Sequence, residues 1–172
     1  MVVGALKKQL ITHKAYVQAL DSGADEVIVD QLLKTGIHPN RLFPRLCFKK
    51  AFHYICDHHD VAGIRLVHGL TGRHLSTGHG WVELPGEVIF DGVVQRFFTR
   101  PSYRKALRGL WPLVSLKFDE AVTRSLEEKT FGPWWDSREF NRCWLSLTNP
   151  TVARRNLVAL LPLRVANHDS RQ

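Results

Sequence analysis

The sequence predicts an α+β fold, a Cys-bearing helix packed on an antiparallel sheet with further helices at both ends. Three observations carry that expectation. Apolar residues recur at helical spacing up to about residue 59. Between residues 64 and 91 the pattern shortens to strands, with Pro85-Gly86 breaking the last of them into a hairpin. Helical spacing then returns after residue 100. Helices, then strands, then helices is the order of an α+β domain.

Val3, Leu6, Leu10 and Val17 predict an amphipathic helix over residues 2–20, broken by Asp21-Ser22-Gly23. Val27, Ile28, Leu32 and Leu33 suggest a second helix ending at Gly36, with Pro39 beyond it. A third helix is expected over residues 45–58. Pro44 suits its opening, and Cys47, Ala51 and Ile55 share one face with Phe48 and Phe52 nearby. Ile64 to Leu70 reads as a strand and residues 71–78 as a loop. His79 to Leu84 and Glu87 to Asp91 read as a strand pair.

Pro101 to Leu107 suits a short helix ending at Gly109, and Leu113 to Phe118 a strand. Asp119 is the expected cap of a helix reaching about Lys129. Phe140, Cys143, Trp144 and Leu147 give another helix, and Asn149-Pro150 opens a last one to Leu161. The whole chain, 1–172, is expected as one domain. It has a helical part at 1–40, a helix-plus-sheet part at 41–118, C-terminal helices at 119–166 and a polar tail at 167–172.

Of the 172 residues, 44% are hydrophobic and 23% charged, which excludes collagen-like, coiled-coil and disordered classes. A chain of this size can bury a core without covalent staples. The net charge of +8 favours anionic partners. Cys47, Cys56 and Cys143 are odd in number and widely spaced, so they are no disulfide framework and fit a reducing, cytoplasmic setting. No apolar run is long enough for a bilayer, so no membrane association is expected.

Cys47, His79 and Asp91 are the candidate catalytic residues. Thiol chemistry requires a thiolate or a base that makes one. Cys47 falls in the first turn of its helix, where unpaired N–H groups favour negative charge, so its thiol is expected to titrate low. His79 opens a strand behind Gly78, and Asp91 ends the returning strand, able to hold the imidazole as a third triad member. The Cys47 N–H is one candidate oxyanion donor and Asn40 a second.

The stretch Gly78-His79-Gly80-Trp81-Val82-Glu83, followed by Val88-Ile89-Phe90-Asp91, resembles the His and Asp strands of transglutaminase-like, papain-like cysteine peptidases. In that family the nucleophile precedes these strands at a helix start, the position Cys47 holds. The intervals, 32 residues from Cys47 to His79 and 12 from His79 to Asp91, are similar to those of the small leader peptidases that mature lasso peptides. The resemblance spans roughly residues 45–92. It implies a papain-like core, a Cys47–His79–Asp91 triad, acyl transfer from a peptide or protein amide, and no cofactor. Peptidase, deamidase and transglutaminase chemistries share that mechanism. Trp81, inside the motif, is a candidate substrate contact.

The hairpin sets a geometric condition. A two-residue loop at Pro85-Gly86 would point Asp91 and His79 to opposite faces, so the triad requires an odd loop or a bulge. A three-residue loop over Leu84 to Gly86 would set His79 directly opposite Asp91.

Two other clusters bear on function. Cys56, His58 and His59, with His53 and Asp57, have zinc-ligand chemistry, yet His58 and His59 point apart on a helix and no metal is expected. Arg100, Arg104 and Arg108 recur every four residues with Phe97, Phe98, Tyr103 and Trp111 nearby. That pattern is the basis for the alternative function, a basic nucleic-acid- or protein-binding module without catalysis.

Overall fold

A computed structural model describes residues 17–72 and 77–136. Most of the first expected helix, the helices expected after residue 140 and the polar tail lie outside the described residues. The first compact unit of the chain ends at Trp135. It is an α+β unit built on a five-stranded sheet in which every neighbouring pair runs antiparallel.

The helix α1 spans Cys47–Asp57. It is followed by β1 (Arg65–Thr71), β2 (Thr77–Leu84), β3 (Val88–Asp91), β4 (Arg96–Thr99), α2 (Arg100–Ala106), β5 (Leu110–Leu116) and α3 (Phe118–Glu128). Across the sheet the order is β4-β3-β2-β1-β5. The strands β2, β3 and β4 form a meander, and β5 closes the far edge beside β1.

Both faces of the sheet are covered. Along β1, Leu66 and Val67 are each fully buried although they point to opposite sides, the signature of a central strand with no wet face. On one face Leu66, Val82, Phe90 and Phe97 pack with Ala51, Tyr54 and Ile55 of α1 and Ala121 of α3. On the other, Val67, Trp81, Ile89 and Phe98 pack with Tyr103 and Ala106 of α2 and with Val17 and Leu20. The buried stripe of α1 is Cys47, Ala51, Tyr54 and Ile55, at i, i+4, i+7 and i+8.

Several elements differ from expectation. Residues 17–23 are helical, so Asp21-Ser22-Gly23 does not break the turn early. The expected second helix shrinks to a 3-10 turn, Gln31–Lys34. Before it, Glu26 bridges Phe98, and the Val27 N–H donates to the Phe97 carbonyl at 2.8 Å. The β-branched run Val27-Ile28-Val29 prefers this extended course along β4 to a helix. The strand β4 is an addition to the expected elements. It carries Phe97 and Phe98, buried on opposite faces.

The start of α2 follows its sequence cues. The Thr99 side chain accepts the Ser102 N–H, and Pro101 sits in the first turn. The start of α3 does not. Asp119 lies within the first turn, and Glu120 instead reaches back to the Lys117 N–H at 2.7 Å.

Candidate active site

The site forms where β3 ends. Leu84 pairs with Val88 around a three-residue turn, Pro85–Glu87, with Gly86 at φ 74°. The odd loop satisfies the parity condition, although it sits one residue later than Leu84 to Gly86. Val82 faces Phe90, so the register carries Asp91 to the level of Trp81, on the same face as His79 but diagonal to it. His79 and Asp91 are therefore neighbours offset by one step.

Beyond Asp91 the chain turns through residues 92–95 into β4, and the first turn of α1 lies against the sheet at that point. A Cβ on Gly80 would lie 2.8 Å from Phe48 Cδ1 and 3.1 Å from Phe48 Cα. One on Gly92 would lie 2.7 Å from Lys50 Cβ and 3.1 Å from the Ala51 nitrogen. Both glycines are thus required by close backbone approach rather than by turn conformation. They let the N-terminus of α1 reach the strand that carries His79.

Cys47 is the first residue of α1. The backbone N–H groups of Gly80, Phe48 and Cys47 itself are close enough to favour negative charge on its sulfur. The Gly80 amide follows His79 on β2, so the thiol lies near the strand that carries the imidazole. Cys47 shares its buried cluster with Trp81 and Tyr103 and keeps 9% exposure, with Leu46 just before it exposed. Burial pushes the Cys47 thiol up, and the three N–H groups offset this only in part. Desolvation is the largest influence on this thiol and acts against the low titration expected from its helix-start position.

Asp91 is fully buried. Its Oδ1 accepts the Val93 N–H at 2.7 Å and the Val94 N–H at 3.3 Å, closing the turn after β3. Its Oδ2 accepts the Tyr103 hydroxyl at 2.5 Å. Burial raises the Asp91 carboxyl to about 6, against the lowering effect of those hydrogen bonds. His79 is 3% exposed. Its Nε2 lies 3.0 Å from the Tyr103 hydroxyl and 3.5 Å from Asp91 Oδ2. The ring stacks beside Trp81 with an interplanar angle of 17°.

The structure thus brings His79 and Asp91 together through Tyr103, a residue whose sequence context groups it with the basic stripe. A signal for its inward role exists: Tyr103, Ala106 and Leu107 share the inner face of α2, and a buried phenol requires a polar partner. Trp81 is not placed at a surface for substrate. It is fully buried, and its Nε1 donates to Glu83 Oε1 at 3.2 Å. Asn40 lies on an exposed turn closed by the Arg41 N–H on the His38 carbonyl, apart from the contacts that unite the cluster.

The basic stripe is not one helical face. The helix α2 ends at Ala106, and Arg108 lies beyond it at φ 56°. Arg100 donates to Glu83 Oε2 at 2.6 Å. Phe97, Phe98 and Tyr103 are buried, which leaves exposed Arg104 above the Trp111 ring at 6.0 Å. Among the described residues no group of three His, Cys, Asp or Glu is arranged to hold a metal ion. His58 packs against Tyr54 and His59 stacks on Phe118, so they diverge. No described helix is long and apolar enough to cross a membrane. No family model, curated protein or solved structure matches the chain.

Proposed function

We propose that this chain carries out cysteine-dependent acyl transfer on a peptide or protein amide, in the manner of the transglutaminase-like and papain-like enzymes its central motif resembles. The observation that carries this reading is the placement of Cys47 at a helix N-terminus beside β2, near the Gly80 amide that follows His79, with His79 linked through Tyr103 to buried Asp91. The thiol of Cys47 attacks the substrate carbonyl as His79 takes its proton, and a tetrahedral oxyanion forms. Backbone N–H groups at the start of α1 are its natural donors. The C–N bond breaks as His79 returns the proton to the leaving amine. A thioester remains on Cys47, and water or an amine then displaces it.

With burial pushing the Cys47 thiol up, His79 acts as a general base that takes the thiol proton during the attack. The polar groups are buried and mutually bonded beside an apolar core, an arrangement that costs stability and is retained at functional sites. A free thiol in this role fits a reducing, cytoplasmic setting.

The test is mechanism-based capture. A peptide bearing an electrophilic carbonyl should form a one-to-one adduct on Cys47, lost in Cys47→Ser and in His79→Ala. Equal capture by the His79→Ala protein would refute the reading.

A further inference from the structure

We infer that Tyr103 is a positioning residue that decides which ring nitrogen of His79 carries the proton. The catalytic consequence rests on the acyl-transfer reading. The proton placement itself follows from the hydrogen bonds of Tyr103 alone.

A phenol has one proton and an oxygen that also accepts. An ionised carboxylate only accepts, so across the 2.5 Å contact the Tyr103 proton points at Asp91 Oδ2. The phenol oxygen is then left to accept, and its neighbour at 3.0 Å is His79 Nε2. A neutral imidazole must therefore place its proton on Nε2, which leaves the lone pair on Nδ1. Direct contact would not do this as well. Nε2 and Asp91 Oδ2 are 3.5 Å apart, at the outer limit of a hydrogen bond, because the register sets Asp91 diagonal to His79. The tyrosine fills that gap.

The same three groups admit an opposite arrangement. A protonated Asp91 donates to the phenol oxygen, the phenol proton turns to Nε2, and the imidazole proton moves to Nδ1. A base with Nδ1 occupied cannot take a proton there. The titratable groups facing Asp91 are His79 from β2, Tyr103 from α2 and, beside Tyr103, Cys47 from α1. Burial brings the Asp91 carboxyl to about 6, so both arrangements lie within an ordinary pH range.

The Asp91→Asn protein should lock in the second arrangement. Its amide oxygen can keep the Val93 and Val94 N–H bonds while its NH2 donates to Tyr103. The experiment is nitrogen NMR of the histidine rings at pH 8 in the full chain, for the natural protein, Tyr103→Phe and Asp91→Asn. The expected result is His79 protonated on Nε2 in the natural protein, mixed in Tyr103→Phe and reversed to Nδ1 in Asp91→Asn. In the capture assay Tyr103→Phe should lose roughly 10–100-fold in rate with little change in half-saturation. Adding Tyr103→Phe to Asp91→Asn should add no cost and should return part of the lost rate, since the phenol proton that holds Nδ1–H is gone. An unchanged His79 tautomer in Tyr103→Phe, or Nε2–H retained in Asp91→Asn, would overturn the inference. The NMR pattern as expected with no capture by the natural protein would uphold the positioning role and remove the enzymatic reading alone.

Discussion

The two faces of the sheet solve the same burial problem by opposite means. Against α1 the contact is mostly apolar and aromatic, but it also buries the His68 imidazole between Phe48 and Trp134, with no hydrogen-bond partner for either ring nitrogen among the described residues. Phe90 stacks on Tyr54 with centroids 3.9 Å apart and packs at 5.2 Å from Phe97. Against α2 the strands bury His79 and Asp91, joined by Tyr103, next to Trp81. The first face gains stability from the carbon it hides, while burial there holds the unpartnered His68 imidazole neutral, lowering it to about 3. The second must satisfy each polar group it hides and still bears the cost of desolvating a carboxyl group. The difference lies in how each face treats its buried polar groups: the first leaves the His68 nitrogens unbonded, and the second joins His79, Tyr103 and Asp91 into one hydrogen-bonded chain.

The largest expected effect is on that second face. Cys47→Ser should reduce covalent capture by about 10³-fold or more, since a hydroxyl replaces a far better nucleophile, while the unfolding midpoint stays near its natural value. A large drop in midpoint would make Cys47 a packing residue and weaken the contrast. On the apolar face the order reverses. Phe90→Ala should cost about 3–5 kcal/mol in denaturant unfolding, because a large ring is removed from between Tyr54 and Phe97.

Asp91→Asn sharpens the comparison, since it should move stability and activity in opposite directions. The folded-state carboxyl is raised, so the unfolded chain gives up its proton first as pH climbs. Stability from this group is present below the ordinary carboxyl range, is lost as pH rises to about 6, and stays lost above it. Near pH 7.5 the neutral asparagine should therefore be more stable by roughly 2–3 kcal/mol, while capture slows. Chemical unfolding of both proteins at pH 4.5 and 7.5 measures this, with a gain at pH 7.5 about three times that at pH 4.5. A loss of stability at pH 7.5 would mean that the native carboxylate is a favourable structural group.

The smallest effect is expected at the edge of the site. Arg100→Ala removes a half-exposed pair with Glu83 and should change stability by about 1 kcal/mol or less. Added salt should shrink even that difference.

Much of this is legible in the sequence, and the reasons differ by residue. The helix starting at Cys47 is readable because its apolar stripe is strict, and the hairpin because Pro85-Gly86 punctuates it. The parity of 79 and 91 is readable as a condition, but loop length has to come from the fold. The strand β4 is not legible: at four residues, with Phe97 and Phe98 buried on both sides, it has no alternation to detect. Residues 27–29 read as helix because a short apolar run has no clear period. Tyr103 escapes notice because charged neighbours make its helix look solvated, when the arginines face out and the phenol faces in. For Cys47 the helix-start position is visible in the sequence, and the desolvation that pushes its thiol up is not.

The most direct test of the central claim is intact-mass analysis after incubation with a mixed pool of peptidyl acyloxymethyl ketones, followed by mapping of the modified cysteine. The account predicts a single adduct on Cys47, formed well ahead of any on Cys56 or Cys143 and abolished by His79→Ala. Labelling of Cys56 at an equal rate, or of Cys47 at an equal rate without His79, would contradict it.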